Sequence, residues 1–153
     1  MFGIYYYNKL IFNGGVIMKT MAIIIQKDAY DLILTGLAFA YLGTAVYDQV
    51  DILCVNWAVK LLSKEGVKIK LDHQDASLQK IQENLVKAGL PTDLYEIVKA
   101  LKSTNKVHFY GCSLAAAIFE VDQKDLIPEA DGIVGATWFL TEKAEEATIF
   151  MQY

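Results

Sequence analysis

Two cysteines, Cys54 and Cys112, are all that 153 residues contain, and no C-x-x-C joins them. A disulfide framework of the secreted kind is therefore excluded, and a reducing cytoplasm fits the chain better. Histidine is equally scarce: His73 and His108, at spacings unrelated to the cysteines, argue against a zinc site. Neither G-x-G-x-x-G after a strand nor G-x-x-x-x-G-K-[ST] occurs, so the usual phosphate-cradling loops are missing. Positive charge is in deficit as well, with 14 Lys+Arg against 18 Asp+Glu and a net charge of −4. Without a basic cluster, nucleic acid and anionic membrane are poor partners. The apolar, aromatic opening from Met1 to Ile17 is broken by Asn8, Lys9, Asn13 and the Gly14-Gly15 pair. It is too short and interrupted for a spanning helix and carries no signal-peptide cleavage pattern. Residues 1–20 read as a leader outside the fold, with the natural start at Met18 or Met21. Repeats, low-complexity tracts and linkers are absent, which leaves one domain over residues 21–153.

What the chain does contain is apolar surface: 54% of it is hydrophobic and only 21% charged. That balance implies strands covered on both faces and a subunit contact, for which Tyr41, Tyr47 and Phe119 are candidates. Met21 to Gln26 is a short β-branched run of the type found in buried parallel strands. Asp28 or Asp31 would cap a helix whose stripe is Tyr30, Ile33, Leu34, Leu37, Ala38 and Tyr41. A second strand, Val50 to Val55, leads to Asn56 as the N-cap of a helix carrying Trp57, Ala58, Leu61 and Leu62 and ending at Gly66. Val67 to Leu71 alternates like an edge strand, and Asp72 to Ser77 is a polar loop. Ser77 would cap a helix through Leu78, Ile81 and Leu85, and Thr92 another through Leu94, Ile97, Val98 and Leu101. Strands at Val107 to Tyr110, Asp131 to Gly135 and Thr148 to Gln152 follow, separated by helices after Cys112 and from Ala136 to Ala147. The alternation predicts a three-layer α/β/α domain with a mainly parallel, flavodoxin-like five-stranded sheet and right-handed crossovers.

In such a sheet the site lies beyond the carboxyl ends of the strands. The candidate turns are Asp28 to Tyr30, Asn56 to Trp57, Gly111 to Ser113 and Gly135 to Thr137. Among them only Cys112 offers a nucleophile. At the start of a helix, with Leu114, Ala117, Ile118 and Val121 as its stripe, unpaired N–H groups and the helix dipole favour a thiolate. The same position also suits a small buried residue at a tight turn. Tyr30 and Trp57 read either as core or interface aromatics or as substrate contacts. Cys54, inside an apolar strand, reads as an inert core residue, His108 as a packed or hydrogen-bonded histidine, and His73 as solvated.

Tyr110-Gly111-Cys112-Ser113, the apolar helix after it, Lys124-Asp125-Leu126-Ile127 and Gly132-Ile133-Val134-Gly135-Ala136-Thr137-Trp138-Phe139-Leu140 resemble the C-terminal half of the DsrE/DsrF-like sulfur-relay proteins, in their peroxiredoxin-like branch. The resemblance spans about Met21 to Tyr153, with its weight in residues 107–140. It implies a DsrEFH-like domain that assembles as a homotrimer or homohexamer. It also implies that Cys112 carries sulfane sulfur as a persulfide between donor and acceptor proteins, as a sulfurtransferase-like carrier without metal or organic cofactor. Gly111, Ser113, Tyr30, Asn56 and Trp57 would surround the sulfur. Where that branch carries polar residues after the cysteine, this chain has Leu114, Ala115, Ala116 and Ala117. The other readings are a non-catalytic module holding a small ligand at the strand ends, and a structural subunit of a hetero-oligomer whose active cysteine lies on another chain.

Overall fold

The computed structural model describes residues 18–68, 76–89 and 91–153. The β-branched runs form strands β1 (Thr20–Ile25), β2 (Gln49–Cys54), β3 (Val107–Cys112), β4 (Gly132–Val134) and β5 (Ile149–Gln152). They pair in the order β4-β3-β2-β1-β5, and every pairing is parallel. The inner strands are apolar on both sides because both sides are covered, as in parallel sheets generally. Thr20 belongs to β1, one residue before the expected boundary. Of the leader expected over residues 1–20, residues 1–17 lie outside the described residues, as do His73 and residues 69–71 of the expected edge strand. The part of that strand that is described, Gly66–Lys68, is a 3₁₀ turn.

From β1 to β4 the chain steps across the sheet in one direction, and right-handed crossovers then place the connections on one face. That face holds α1 (Tyr30–Val46), a 3₁₀ turn at Asn56–Leu62, α3 (Leu94–Ser103) and α4 (Ser113–Ile118), with α2 (Ala76–Lys87) preceding α3 in the chain. Accordingly α1 packs on α3, α4 packs on the 3₁₀ turn, and Val59 and Leu62 of that turn lie over Gly111. The return from β4 to β5 passes back over three strands, so α5 (Ala136–Phe139) and the π-turn Leu140–Ala144 cover the opposite face. Tyr110 meets Trp138 and Phe139 there, at ring-centroid separations of 5.5 and 6.2 Å. The three-layer α/β/α architecture is thus the observed one, around a core that includes Ile23, Ile52, Phe109 and Phe139.

Several local readings are corrected. Helix α1 buries Ile33, Gly36, Leu37, Ala40 and Gly43, while Ala38 and Tyr41 face outward. Its phase follows close approach rather than side-chain bulk: a Cβ on Gly43 would lie 2.6 Å from Met21 Sδ. Its N-cap is Ala29, and neither Asp28 nor Asp31 caps it. The segment after β2 is a 3₁₀ turn capped at Val55, with Asn56 inside it at φ 47°. Ser77 falls within α2, and α3 is capped by Asp93, which accepts the Tyr95 N–H at 2.8 Å, instead of by Thr92. In α4 the small residues Ala115 and Ala116 turn inward, leaving Leu114 and Ile118 exposed.

Asp131, just before β4, ties two layers together. Its carboxylate accepts the Phe109 N–H at 2.8 Å and Lys102 Nζ at 2.6 Å, and lies 3.4 Å from His108 Nδ1. Its own N–H donates to the Phe109 carbonyl at 2.8 Å. Burial alone would raise the Asp131 pKa, but the bonds from Lys102, Phe109 and His108 outweigh it and hold the carboxyl below its usual value. A folded-state value below the unfolded one, near 4, means that the stabilisation is present above that pH and is lost as pH falls through the folded value. We expect Asp131→Ala to cost about 1 to 3 kcal/mol at pH 7, because it strands a backbone donor and a lysine. Urea denaturation from pH 7 to pH 3 should show the gap to wild type narrowing below about pH 4; a gap independent of pH would contradict the role of the charge.

Candidate functional site

Adjacent strands β3 and β4 send the chain to opposite faces, α4 on one side and α5 on the other. Their carboxyl ends therefore part into the kind of crevice in which open α/β sheets place ligands. Cys112 closes β3 opposite Val134 and is also the residue from which α4 starts, at φ −69° and ψ 127°, with no side chain capping the helix. Strand alternation puts Cys112 on the same face as His108 and Tyr110, and Cys54, whose register partner is Gly111, on the other. Cys112 is 6% exposed and Cys54 is sealed at 0%. Burial pushes the Cys54 thiol up to about 12, so it stays protonated at any physiological pH. Cys112 is buried too, with only a small part of its surface open to solvent.

The other candidate residues divide. Gly111 serves packing, since a Cβ there would come within 3.3 Å of Val59. Ser113 is exposed at the head of α4, beside an open depression of ≈ 490 Å³ that runs along that helix past Glu120, Gln123 and Ile133. Trp57 is half exposed and joins α4 through Phe119, ring to ring at 4.5 Å, with Lys60 Nζ 4.8 Å above the indole. Asn56 is exposed in a left-handed conformation next to it. Tyr30 is not drawn into this group: its hydroxyl donates to the Thr92 carbonyl at 2.6 Å and braces α1 against the start of α3. His108 is hydrogen-bonded, as read from the sequence, and stacks on Tyr110.

Sequence reasoning missed Lys60, although it follows Trp57 at one 3₁₀ repeat, and took Phe119, the ring that Trp57 packs on, only as a subunit-contact candidate. It also missed Asp51, 2% exposed and ion-paired with Lys143 at 3.3 Å. The signal was a lone carboxylate within the apolar run Val50 to Val55. Burial first, and then Asp51 and Asp131, push the Tyr110 phenol up to about 12. Among the described residues no three His, Cys, Asp or Glu side chains gather as a metal site, and no helix is long and apolar enough to cross a membrane.

Two solved structures share this architecture. The YchN protein from E. coli matches with a TM-score of 0.57 at 11% identity, over 89% of this chain and 100% of that one. A protein of unknown function, MTH1491 from Methanobacterium thermoautotrophicum, matches with a TM-score of 0.53 at 15% identity, over 87% of this chain and 98% of that one. No protein-family model and no curated protein matches the sequence. At these identities the likeness establishes the fold alone, a three-layer α/β domain around a parallel five-stranded sheet.

The two thiols should separate by reactivity. With iodoacetamide at pH 7, peptide mapping of the native protein is expected to show Cys112 modified at least about tenfold faster than Cys54, which reacts only on unfolding. Equal rates would overturn the assignment.

Proposed function

We propose that this protein is a sulfur-relay carrier that holds sulfane sulfur as a persulfide on Cys112 and passes it to an acceptor thiol. The observation behind the reading is the position of Cys112, at the parting of β3 and β4 and at the open start of α4. The Cys112 thiolate attacks the outer sulfur of a donor persulfide, R–S–SH; the new bond makes Cys112–S–SH and R–S⁻ leaves. An acceptor thiolate then attacks the same outer sulfur and restores the Cys112 thiolate. Neutral sulfur moves at each step, so no net electrons are exchanged and no cofactor takes part. The first-turn N–H groups of Ser113, Leu114 and Ala115 face the developing charge, and Trp57, Lys60, Leu114 and Ile118 form the surface that meets the protein partners.

The low exposure of Cys112 favours a second reading, in which the crevice binds a small ligand and the cysteine only packs beneath it. In the carrier reading the thiol must be reached by sulfur, either through motion of α4 or α5 or through a small inorganic polysulfide. The structural-subunit reading leaves Cys112 idle. Assembly of this chain with itself, as a trimer or hexamer, accords with the exposure of Tyr41, Leu42 and Val46 on α1.

Mass spectrometry divides these readings. After incubation with polysulfide, wild type is expected to gain about 32 Da per chain, reversibly with a reducing thiol; Cys112→Ser should gain nothing and Cys54→Ser should still load. Equal loading of wild type and Cys112→Ser, or none of either, would reject the carrier. Light scattering at micromolar concentration should give a multiple of the 17.1 kDa chain mass, and a monomer would reject assembly.

A further inference from the structure

Strand β5 ends the sheet beside β1, and among the described residues no strand pairs with its outer edge. Both backbone groups of Tyr153 turn inward, the N–H donating to the Ile24 carbonyl and the carbonyl accepting the Gln26 N–H, each at 2.8 Å. Alternation turns Ile149 and Met151 inward as well, opposite Met21 and Ile23, and leaves the N–H and C=O of Phe150 and Gln152 facing out. Residues 148–153 have none of the side chains that blunt natural edges, neither lysine nor proline nor an inward charge. Ile149 and Phe150 are exposed there. So short an edge holds little on its own, and a partner strand needs a second contact beside it.

Helix α1 provides one. With Gly36, Ala40 and Gly43 against the sheet, its turn of about 3.6 residues puts Tyr30, Ile33 and Leu37 on one flank and Thr35, Phe39, Leu42 and Val46 on the other. The first flank faces α3, where the Tyr30 hydroxyl reaches the Thr92 carbonyl. The second overhangs β5, because the Phe39 ring stacks on Tyr153 at a centroid separation of 5.9 Å. On that flank Phe39, Leu42 and Val46 are 41%, 63% and 65% exposed. Asp31 is the only charged residue of the whole helix, and a helix apolar around its circumference belongs in an interior. The exposed flank and the open strand edge are therefore one continuous surface.

We propose that this surface is a two-fold contact with a second copy of the same chain, β5 pairing antiparallel with β5 and α1 packing on α1, so that two sheets become one. The proposal specifies one interface of the self-assembly set out above and rests on that reading, not on sulfur transfer. A two-fold axis sets residues near their own counterparts and doubles every charge it brings together. Residues 148–153 and the flank of Phe39, Leu42 and Val46 bring none, and they offer a charged partner nothing to pair with. The outward groups fix the register. With the axis through Met151, Phe150 and Gln152 of one copy exchange hydrogen bonds with Gln152 and Phe150 of the other, and every outward group is paired. With the axis through Phe150, Gln152 would need Thr148, whose N–H already donates to the Thr20 carbonyl at 2.8 Å.

Light scattering of the full chain at micromolar concentration is expected to give an even multiple of 17.1 kDa. Leu42→Glu/Val46→Glu changes only exposed side chains and should halve that mass with an unchanged circular-dichroism spectrum, because like charges would meet across the axis. Met151→Cys, made together with Cys112→Ser, should give a disulfide-linked dimer on mild oxidation. Met151 would stand opposite itself at a non-hydrogen-bonded position, with about 4.5 Å between the Cα atoms. Gln152→Cys in the same background should not cross-link. An odd multiple such as a trimer would overturn the proposal and leave self-assembly standing; a monomer would overturn both, whether residues 1–17 or nothing covers the edge. A folded Leu42→Glu/Val46→Glu protein of unchanged mass, or cross-linking that does not favour Met151→Cys, would also overturn it.

Discussion

The carboxylate of Asp131 decides where the last inner pairing of the sheet begins. It accepts the Phe109 N–H and holds Lys102 of α3, while the Asp131 backbone N–H donates to the Phe109 carbonyl, and these bonds together extend the β3 ladder one step below the Tyr110–Gly132 pair. A three-residue strand has little pairing energy of its own, so β4 depends on this anchor for its register. The crevice above depends on it in turn, because β4 must lie beside β3 for their ends to part around Cys112.

Register carries equal weight for the thiols. Cys54 and Cys112 end neighbouring strands yet face opposite layers, since Cys54 stands level with Gly111. A slip of one residue in β3 would exchange the faces of all its side chains. It would carry Cys112 to the side of Val59 and Leu62, and Tyr110 away from Trp138 and Phe139. The packing of those three aromatic rings therefore also sets the face on which Cys112 lies.

Much of this was legible in the residues. Isolated β-branched runs bounded by polar or glycine positions marked the strands to within a residue or two, and the strand–cysteine–helix order located the site candidate. Helix faces were read less well, because hydrophobic periodicity gives no weight to small residues. Gly36, Ala40 and Gly43 make the close approach of α1, and Ala115 and Ala116 that of α4, while Tyr41, Leu114 and Ile118 take the outer positions. The Asp131 brace and the Asp51–Lys143 pair join residues far apart in the chain, which no local pattern encodes. The exposure of Cys112 is likewise a property of the layers around it rather than of its own turn.

The strand order has a consequence in time. Strands β1 to β4 join the sheet in the order in which they are synthesised, each beside its predecessor, whereas β5 docks against β1, with Thr20 hydrogen-bonded to Thr148 across 128 positions. Loop-closure entropy makes so distant a pairing late. Until Ile149–Gln152 have been made, one edge of β1 stays open and the return face of the sheet uncovered, so the growing domain presents an apolar strand edge throughout the synthesis of β2 to β4.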